Sequence, residues 1–323
     1  MSHLKIILFI ISIALVSAGL TFGQVWKMHQ TDTKDDLVAI YFTSSTKGFV
    51  AGDNGYLAST VNGGKTWQKY PLNTTENINE IYFRNEKNGY LVAGKKLFIT
   101  GDGGNLWRET VIYRASDFKN GAPSFLSIRF ADKKRGIVVG SVLNRKGDAV
   151  LDSLVMRTED GGVTWNRVAM PTKSELFHLD YNGSSHGWIV GNRGLILATA
   201  DGGATWQVQN SGTDKALYNV DFRDDNEGYA VGELGTILRT ENGGASWQKV
   251  TTAFPGTFMR VDFADDKNGL IVGHRGLILR CSDKGRSWIK MDSSTTKNLY
   301  GLYMVKKYGW TVGADGLILE YLK

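Results

Sequence analysis

The stretch from Val220 to Trp247, VDFRDDNEGYAVGELGTILRTENGGASW, is a nearly complete copy of a repeating unit. Apolar residues alternate within it and are interrupted by clusters of Gly, Asn and Asp, a pattern typical of short strands joined by tight turns. The unit predicts strand A over Leu217–Phe222, strand B over Tyr229–Gly232, strand C over Thr236–Thr240 and strand D over Ser246–Val250. Four strands in about 40 residues indicate a β-propeller blade rather than a helical repeat.

The end of the unit, Ser/Thr-x-Asp/Asn-x-Gly-x-Thr/Ser-Trp, recurs six times with single departures. Counted from Trp26, the Trp residues that end successive repeats are 41, 40, 58, 41, 41 and 41 positions apart. The repeated acidic or amide residues are Asn62, Asp102, Asp160, Asp201, Asn242 and Asp283, and the repeated Trp residues are Trp67, Trp107, Trp165, Trp206, Trp247 and Trp288.

These Asp-box segments are predicted to be structural turns. An Asp or Asn side chain bonds the backbone of its own turn, Gly permits a left-handed conformation, and Trp adds a large apolar surface. A calcium site is the alternative, but two copies carry Asn, and one carboxylate per turn is too few for a hard cation. We therefore predict no metal site and no cofactor.

The two ends of the chain predict how the ring closes. The last unit begins at Leu299 and stops at Lys323 before any Trp strand, whereas Gln24–Met28 is a Trp strand with no unit of its own. Together they complete a seventh blade, which leaves no exposed sheet edge. We predict an all-β, seven-bladed propeller of four-stranded antiparallel blades over residues 24–323, with insertions near 111–124 and 141–152.

Composition and charge exclude several classes of protein. The chain has 39 Gly, only 4 Pro and 42% hydrophobic residues, so it can bury a core and is not disordered. The single cysteine, Cys281, excludes an intramolecular disulfide and a multi-cysteine metal site. The net charge of +6 is spread along the chain without a basic run, so no nucleic-acid partner is expected.

The amino-terminal segment predicts export. Lys5 precedes the apolar run Ile6–Val16, and small residues follow, which is the order of a secretory signal peptide. We predict a signal peptide over residues 1–18, with cleavage as late as residue 23 as the alternative. The apolar run is too short to span a bilayer. The expected product is a monomer in the periplasm or outside the cell, with no membrane-spanning segment.

Candidate binding residues lie around the central channel and on one face of the ring. The third aligned position of strand A reads Ala39, Glu80, Ser127, His178, Asn219, Arg260 and Gly301. A polar, varied set at one layer indicates a solvated channel mouth, which either holds a small ligand or a peptide end or is merely wet. Loops on a rigid scaffold commonly carry binding sites, so we take the candidates for contact with a partner to be Glu80, His178, Asn219, Arg260, Arg193, Arg275, Lys95 and Lys96.

The Asp-box repeats resemble the bacterial-neuraminidase-repeat propellers, and the unit Val220–Trp247 is similar to the photosystem II stability/assembly factor family. That resemblance implies an exported seven-bladed propeller that assists membrane-protein assembly without catalysis. Photosynthetic members are expected to carry an arginine-rich patch. Here Arg193, Arg260 and Arg275 form a partial version with acidic residues between them, which favours a relative from a non-photosynthetic bacterium.

A glycoside hydrolase is the alternative function, because sialidases and some glucanases also carry Asp-box repeats. The one carboxylate pairing that can be suggested is Glu80 with Asp53 or Glu233. No complete set of nucleophile, acid and orienting group can be assembled from the sequence, and no nucleotide or zinc motif is present. We therefore predict a protein-binding scaffold or assembly factor of the cell envelope with no catalytic residues.

Overall fold

The computed structural model describes residues 26–321, and the predicted signal peptide lies outside them. Within this range the chain forms seven four-stranded antiparallel sheets and no α-helix. The strands are β1 (Trp26–His29), β2 (Leu37–Phe42), β3 (Gly48–Gly52), β4 (Leu57–Thr60), β5 (Gln68–Lys69), β6 (Ile78–Phe83), β7 (Gly89–Ala93), β8 (Lys96–Thr100), β9 (Arg108–Thr110), β10 (Gly121–Phe130), β11 (Gly136–Asn144), β12 (Val150–Thr158), β13 (Asn166–Arg167), β14 (Leu176–Asn182), β15 (His186–Gly191), β16 (Ile196–Thr199), β17 (Gln207–Gln209), β18 (Leu217–Phe222), β19 (Gly228–Gly232), β20 (Ile237–Thr240), β21 (Gln248–Lys249), β22 (Phe258–Phe263), β23 (Gly269–Gly273), β24 (Ile278–Cys281), β25 (Ile289–Met291), β26 (Leu299–Val305), β27 (Tyr308–Gly313) and β28 (Ile318–Tyr321).

Six short 3-10 turns complete the described elements. Five of them connect strands B and C of a blade, and one lies in the crossover that enters the third blade. They are Asp53–Gly55, Ala115–Phe118, Asn192–Gly194, Glu233–Gly235, His274–Gly276 and Ala314–Gly316, of which the second is the crossover turn. Within residues 26–321 no helix is long and apolar enough to cross a bilayer.

Each blade is a meander of consecutive strands A to D, ordered from the channel outward. Blades 1 to 6 are β2–β5, β6–β9, β10–β13, β14–β17, β18–β21 and β22–β25. Blade 7 takes strands A to C from β26–β28 and strand D from β1, in the order β1-β28-β27-β26. Trp26 pairs with Tyr321 and His29 with Ile318, which confirms the predicted closure.

The alternating strand directions give the disc two different faces. The A–B turns and the Asp-box turns lie on one side, which we call the Asp-box face. The B–C turns and the D–A crossovers lie on the other, which we call the long-loop face. Both predicted insertions belong to blade 3 and lie toward the long-loop face.

The insertions in blade 3 lengthen strands rather than forming open loops. Strands β10, β11 and β12 have 10, 9 and 9 residues, and the pairing continues from Gly121 with Asn144 through to Phe130 with Gly136. The first insertion also forms the turn Ala115–Phe118, whose Phe118 is buried against the core of this blade. Blade 3 therefore rises above its neighbours as an extended, hydrogen-bonded sheet.

Strand D is shorter than the sequence predicts. In blade 5 it covers only Gln248–Lys249 instead of Ser246–Val250. Ser246 belongs to the Asp-box turn, where its backbone N–H donates to Asn242 Oδ1 at 2.9 Å. Beyond the two strand residues, one more hydrogen bond links strands D and C, from the Val250 N–H to the Ile237 carbonyl at 2.8 Å.

Stacked aromatic rings join the blades at five of the seven contacts between neighbours. The aromatic residue after the first Gly of strand B packs on the last residue of strand A in the next blade, with ring centroids 3.4 to 5.4 Å apart. Aromatic pairs of this kind add to the stabilisation from buried area. The pairs are Phe49–Phe83, Tyr90–Phe130, Trp188–Phe222, Tyr229–Phe263 and Trp310–Phe42.

The Asp-box turns are held by their own side chains. Asp201 Oδ1 accepts the backbone N–H groups of Ala204 at 2.9 Å and Thr205 at 3.0 Å, and its Oδ2 accepts the Thr205 hydroxyl at 2.6 Å. Where Asn replaces Asp, the amide keeps the pattern, because Asn62 Nδ2 donates to the Thr66 hydroxyl at 2.8 Å. These bonds occupy the carboxylate and account for its place in the repeat.

The closing strand is the place where a single substitution should most affect the ring. Trp26 is buried and packs beside Tyr321, whereas Met28 on the same strand is 45% exposed. We expect Trp26→Ala to lower the unfolding free energy by roughly 3–5 kcal/mol, because it leaves a large void at the closure. Met28→Ala is the matched control and should cost less than about 1 kcal/mol. Equal midpoints for the two variants in urea unfolding would contradict this role of β1.

The Asp-box turn can be tested with a pair of substitutions at Asp201. Asp201→Ala removes the acceptor of four hydrogen bonds and should cost roughly 1 kcal/mol of stability. Asp201→Asn should be milder, because blades 1 and 5 use Asn at this position with the same turn geometry. Chemical unfolding of both variants measures the difference, and an Asn variant as destabilised as the Ala variant would refute this account.

Candidate functional site

The A strands surround a central channel that contains a cavity of about 400 Å³. Alternate residues of a strand point the same way, so each blade contributes one residue to each of two rings. The Glu80 ring, toward the long-loop face, consists of the predicted residues Ala39, Glu80, Ser127, His178, Asn219, Arg260 and Gly301. The Asp221 ring, toward the Asp-box face, consists of Tyr41, Tyr82, Arg129, Asp180, Asp221, Asp262 and Tyr303.

The Glu80 ring is buried, not solvated as the sequence predicted. Every member except Arg260 is buried, and Glu80, His178 and Asn219 are only 3 to 4% exposed. The reason is that their side chains bond to the neighbouring blade instead of to water. Asn219 Oδ1, for example, accepts the backbone N–H of Val261 at 2.9 Å. Whether these residues contact a partner remains a prediction.

Glu80 lies at the centre of a charged network that links blades 2, 3 and 4. Its Oε1 accepts from Arg129 Nη1 at 2.5 Å, and its Oε2 accepts the backbone N–H of Ile128 at 2.8 Å. Burial by itself raises the pKa of Glu80, but the positive charge of Arg129, with a smaller contribution from Arg260, outweighs it and holds the pKa well below its usual range. An acid catalyst of glycoside hydrolysis needs the opposite shift, so Glu80 is unsuited to that role.

His178 is neutral, and its protonated nitrogen can be assigned from its partner. Arg129 Nη2 lies 3.0 Å from His178 Nε2, and a guanidinium can only donate, so Nε2 is the acceptor and Nδ1 carries the hydrogen. Burial lowers the pKa of His178 to about 3. Nδ1 is buried and has no hydrogen-bond partner among the described residues.

The Asp221 ring forms a second set of bonds between blades, nearer to the Asp-box face. The hydroxyl groups of Tyr41 and Tyr303 donate to backbone carbonyls of the next blade at 3.0 and 2.8 Å. Asp180 Oδ2 and Asp262 Oδ2 accept backbone N–H groups of the next blade at 2.8 and 2.7 Å. Asp221 is the exception, because its Oδ2 is buried without a hydrogen-bond partner in the part of the chain that the structure describes.

Three carboxylates on successive blades titrate abnormally in this ring. Burial raises the pKa of Asp262 to about 7. Burial also raises the pKa of Asp180, with partial compensation from Arg129. The pKa of Asp221 is raised well above its usual value by burial and then by the charges of Asp262 and Asp180. This part of the channel therefore holds protons that an exposed aspartate would release.

The predicted turn residues lie on the long-loop face, away from both rings. Arg193 and Arg275 are exposed at the tips of B–C turns, and Lys95 and Lys96 occupy the B–C turn of blade 2, where Lys96 pairs with Glu109 at 3.0 Å. Arg193 and Arg275 adopt left-handed φ angles of 54° and 57°. The same left-handed position in the other B–C turns is held by Asn54, Leu234 and Asp315, so this conformation belongs to the turn and does not single out the arginines.

The sequence reasoning missed a collar of apolar residues around the channel on the long-loop face. The residue before each Glu80-ring residue has no pairing partner on strand B, because a bulge occurs there in every blade, and its side chain is half-buried. Phe177 and Tyr218 contact each other across blades at 5.3 Å, and the Tyr218 hydroxyl donates to Glu233 in a B–C turn. The collar residues are Val38, Asn79, Leu126, Phe177, Tyr218, Met259 and Tyr300.

The Asp221 ring was also missed, although a sequence signal was available. Its members follow the Glu80 ring by two positions, which is the spacing of side chains on one face of a strand. An alignment of strand A two residues further along places three aspartates in successive blades and three tyrosines in the blades that follow. The bulges that form the collar leave no comparable signal in the residue pattern. In residues 26–321 no three His, Cys, Asp or Glu side chains come together closely enough to share a metal ion.

The fold and the channel define a closed Asp-box propeller with seven blades and a charged interior. A family model described as photosynthesis system II assembly factor YCF48 matches residues 20–80, 65–171, 157–256 and 205–302. The matches cover most of the chain, so it belongs to the YCF48 family, which confirms the resemblance drawn from the Asp-box unit. Comparison with individual curated protein sequences gives no match.

Solved structures of similar fold include both binding proteins and enzymes. YCF48 bound to D1 peptide matches with a TM-score of 0.73 at 19% identity, over 93% of this chain and 96% of the other. YCF48 from Cyanidioschyzon merolae matches with a TM-score of 0.72 at 17% identity, over 92% and 99%. Virginiamycin B lyase from Staphylococcus aureus matches with a TM-score of 0.71 at 13% identity, over 91% and 98%. At these identities the likeness concerns the fold alone.

The raised pKa of Asp262 predicts a pH-dependent effect of replacing it. Between about pH 4 and 7 the folded protein holds a proton on Asp262 that the unfolded chain releases, so this residue's contribution to stability falls as the pH rises. Asp262→Asn stays neutral. We therefore expect the variant to gain stability relative to the wild type between pH 5 and pH 8 in denaturant unfolding.

His178, whose pKa is lowered, affects the pH dependence of stability in the opposite direction. Because both proteins contain His178, its effect cancels in the difference between their stabilities. Asp266→Asn, which removes an exposed carboxylate outside the channel, is the control. A stability difference for Asp262→Asn that is constant from pH 5 to pH 8 would contradict the raised pKa.

Proposed function

We propose that the protein is a non-catalytic scaffold or assembly factor that binds a protein or peptide partner across its long-loop face. The observation that carries the proposal is that the features which differ between blades converge on that face. The tall sheet of blade 3, the apolar collar and the charged B–C turns all lie there. The Asp-box face presents six nearly identical turns, which give a partner little to distinguish.

The chemistry of the long-loop face is that of a binding surface. Protein interfaces combine an apolar, partly aromatic centre with a polar rim. Here the collar, with Phe177, Tyr218 and Tyr300, supplies the centre, and the B–C turns supply the rim. Exposed Leu234, at 65%, extends the apolar surface into a turn. The strained arginines at positions 193 and 275 suit contact with acidic groups of a partner.

Family membership supports a protein partner. The YCF48 structure described as bound to D1 peptide shows that a propeller of this family binds a peptide, and we extend that class of ligand, not its identity, to this chain. Export to the cell envelope is part of the proposal and rests on the apolar amino-terminal segment. A glycoside hydrolase activity is not favoured, because Glu80, its one candidate acid, is held ionised by Arg129.

Reversing the charge of the two turn arginines should weaken capture of the partner. We expect Arg193→Glu with Arg275→Glu to reduce the proteins recovered by cross-linking from native envelope extract by at least tenfold, measured by quantitative mass spectrometry against the wild type. Charge complementarity governs encounter and specificity at such a rim, so the wild-type yield should also fall with added salt.

Two controls separate loss of binding from loss of fold. Lys65→Glu with Arg286→Glu makes the same charge change on exposed residues of the Asp-box face and should leave capture unchanged. Arg193→Gly with Arg275→Gly relieves the left-handed strain and should be at least as stable as the wild type, yet should still weaken capture. Loss of capture in the Asp-box-face variant alone would place the partner on the other face.

A further inference from the structure

The cavity at the Asp221 ring has two chemically different walls. Asp180, Asp221 and Asp262 occupy three successive blades on one side. Tyr303, Tyr41 and Tyr82 occupy the next three blades. Arg129 completes the Asp221 ring. Its guanidinium carbon lies 5.2 Å from the centre of the Tyr82 phenol, and its charge pairs with Glu80. The rings of Tyr41 and Tyr303 therefore remain the aromatic surfaces opposite the carboxylates.

Acidic side chains outnumber basic ones in the lining of the cavity. Four carboxylates, those of Glu80, Asp180, Asp221 and Asp262, stand against two guanidiniums. One of these guanidiniums, that of Arg129, forms an ion pair with Glu80 of the Glu80 ring. No cation lies within ion-pair distance of the three aspartates in residues 26–321, although the charges of Arg129 and Arg223 partly offset the rise in the pKa of Asp221.

Asp221 distinguishes this site from a purely structural ring. The other two aspartates each accept a backbone N–H of the next blade, but Asp221 Oδ2 is buried and has no partner among the described residues. Leaving a buried carboxylate oxygen without a donor costs free energy, and a bound ligand with N–H donors would recover it. Asp221 also lines the cavity, so a rotation of its carboxylate would bring Oδ2 to a ligand there.

We propose that the Asp221 ring is a binding site for an organic cation of the alkylammonium class, whose charged group contacts Asp221 between Asp180 and Asp262 and whose alkyl chain lies against Tyr41 and Tyr303. Carboxylates combined with aromatic faces are the chemistry that recognises ammonium groups in proteins. A cavity of about 400 Å³ is far larger than a metal ion needs, and the carboxylates are distributed one to a blade.

Access is from the Asp-box face. Every member of the Asp221 ring is half-buried, whereas the Glu80 ring beyond it is buried apart from Arg260. The cavity extends past the Asp221 ring to Met304 and Val305, toward that face, and past the Glu80 ring to Val38 at its other end. The site is thus on the side of the disc opposite the proposed partner surface and does not depend on that proposal.

Binding should release protons, which gives a readout that a merely structural role would not produce. An ammonium group beside Asp221 favours the ionised carboxylates, whose pKa values are raised in the empty channel. Near pH 7, titration calorimetry with n-butylammonium should therefore give an enthalpy that depends on the ionisation enthalpy of the buffer. Affinity should increase from pH 5.5 to pH 8. The neutral analogue n-butanol should bind at least tenfold more weakly.

Substitutions test the assignment to Asp221. Asp221→Asn should weaken n-butylammonium binding at least tenfold, whereas Asp266→Asn, the same change at an exposed position outside the channel, should leave it unchanged. If Asp221→Asn does not fold, Asp262→Asn serves in its place, because an asparagine carbonyl can still accept the N–H of Met304. Proton release on binding is measured with the wild-type protein, so that part of the test does not depend on whether a variant folds.

Two further probes separate the sources of such a cation. N-acetyl-lysinamide imitates a side chain of a partner protein, and 1,4-diaminobutane represents a small metabolite amine. Tighter binding of either one identifies the source within the proposed class. The proposal is overturned if none of the amines binds with proton release, if Asp221→Asn and Asp266→Asn behave alike, or if magnesium or calcium binds in their place with the same dependence on Asp221.

Discussion

The packing of each blade on its neighbour is the interaction on which the whole ring depends. A single four-stranded blade cannot bury both of its faces, so every blade needs one on either side. The stacked pairs, such as Trp188 on Phe222, provide this contact, and Gly228 makes room for it because a Cβ there would lie 2.5 Å from the Phe222 ring. Seven contacts close the circle only if β1 returns to β28.

The same requirement explains why the channel is lined by polar residues. The A strands meet at the axis, where backbone N–H groups of one strand face the side chains of the strand before it. Ring residues satisfy those groups, as Glu80 does for Ile128 and Asn219 for Val261. Polar residues at the axis are therefore largely connectors between blades, and a ligand site is indicated only where a connector lacks its partner, as at Asp221.

A propeller of this kind separates stability from recognition. The Asp-box turns and aromatic stacks recur around the ring and fix the scaffold, while the long-loop face varies from blade to blade. One position of the B–C turns illustrates this variation, because the same left-handed conformation is occupied by Asn54, Arg193, Leu234, Arg275 and Asp315 in different blades. Both family membership and the fold are compatible with many ligands, so binding must be assigned from these variable residues.

The sequence by itself determined the blade, the blade count and the closure, because the Trp and Gly-Gly spacing repeats with the period of the structure. It also located the Glu80 ring by simple alignment. Only the tertiary structure showed that this ring is buried and that Glu80 is paired with Arg129 from the next blade. It also showed that Phe177 and Tyr218 lie at strand bulges and belong to the collar. These features arise from contacts between strands about 40 residues apart, and a repeat pattern records the period of such contacts but not their partners.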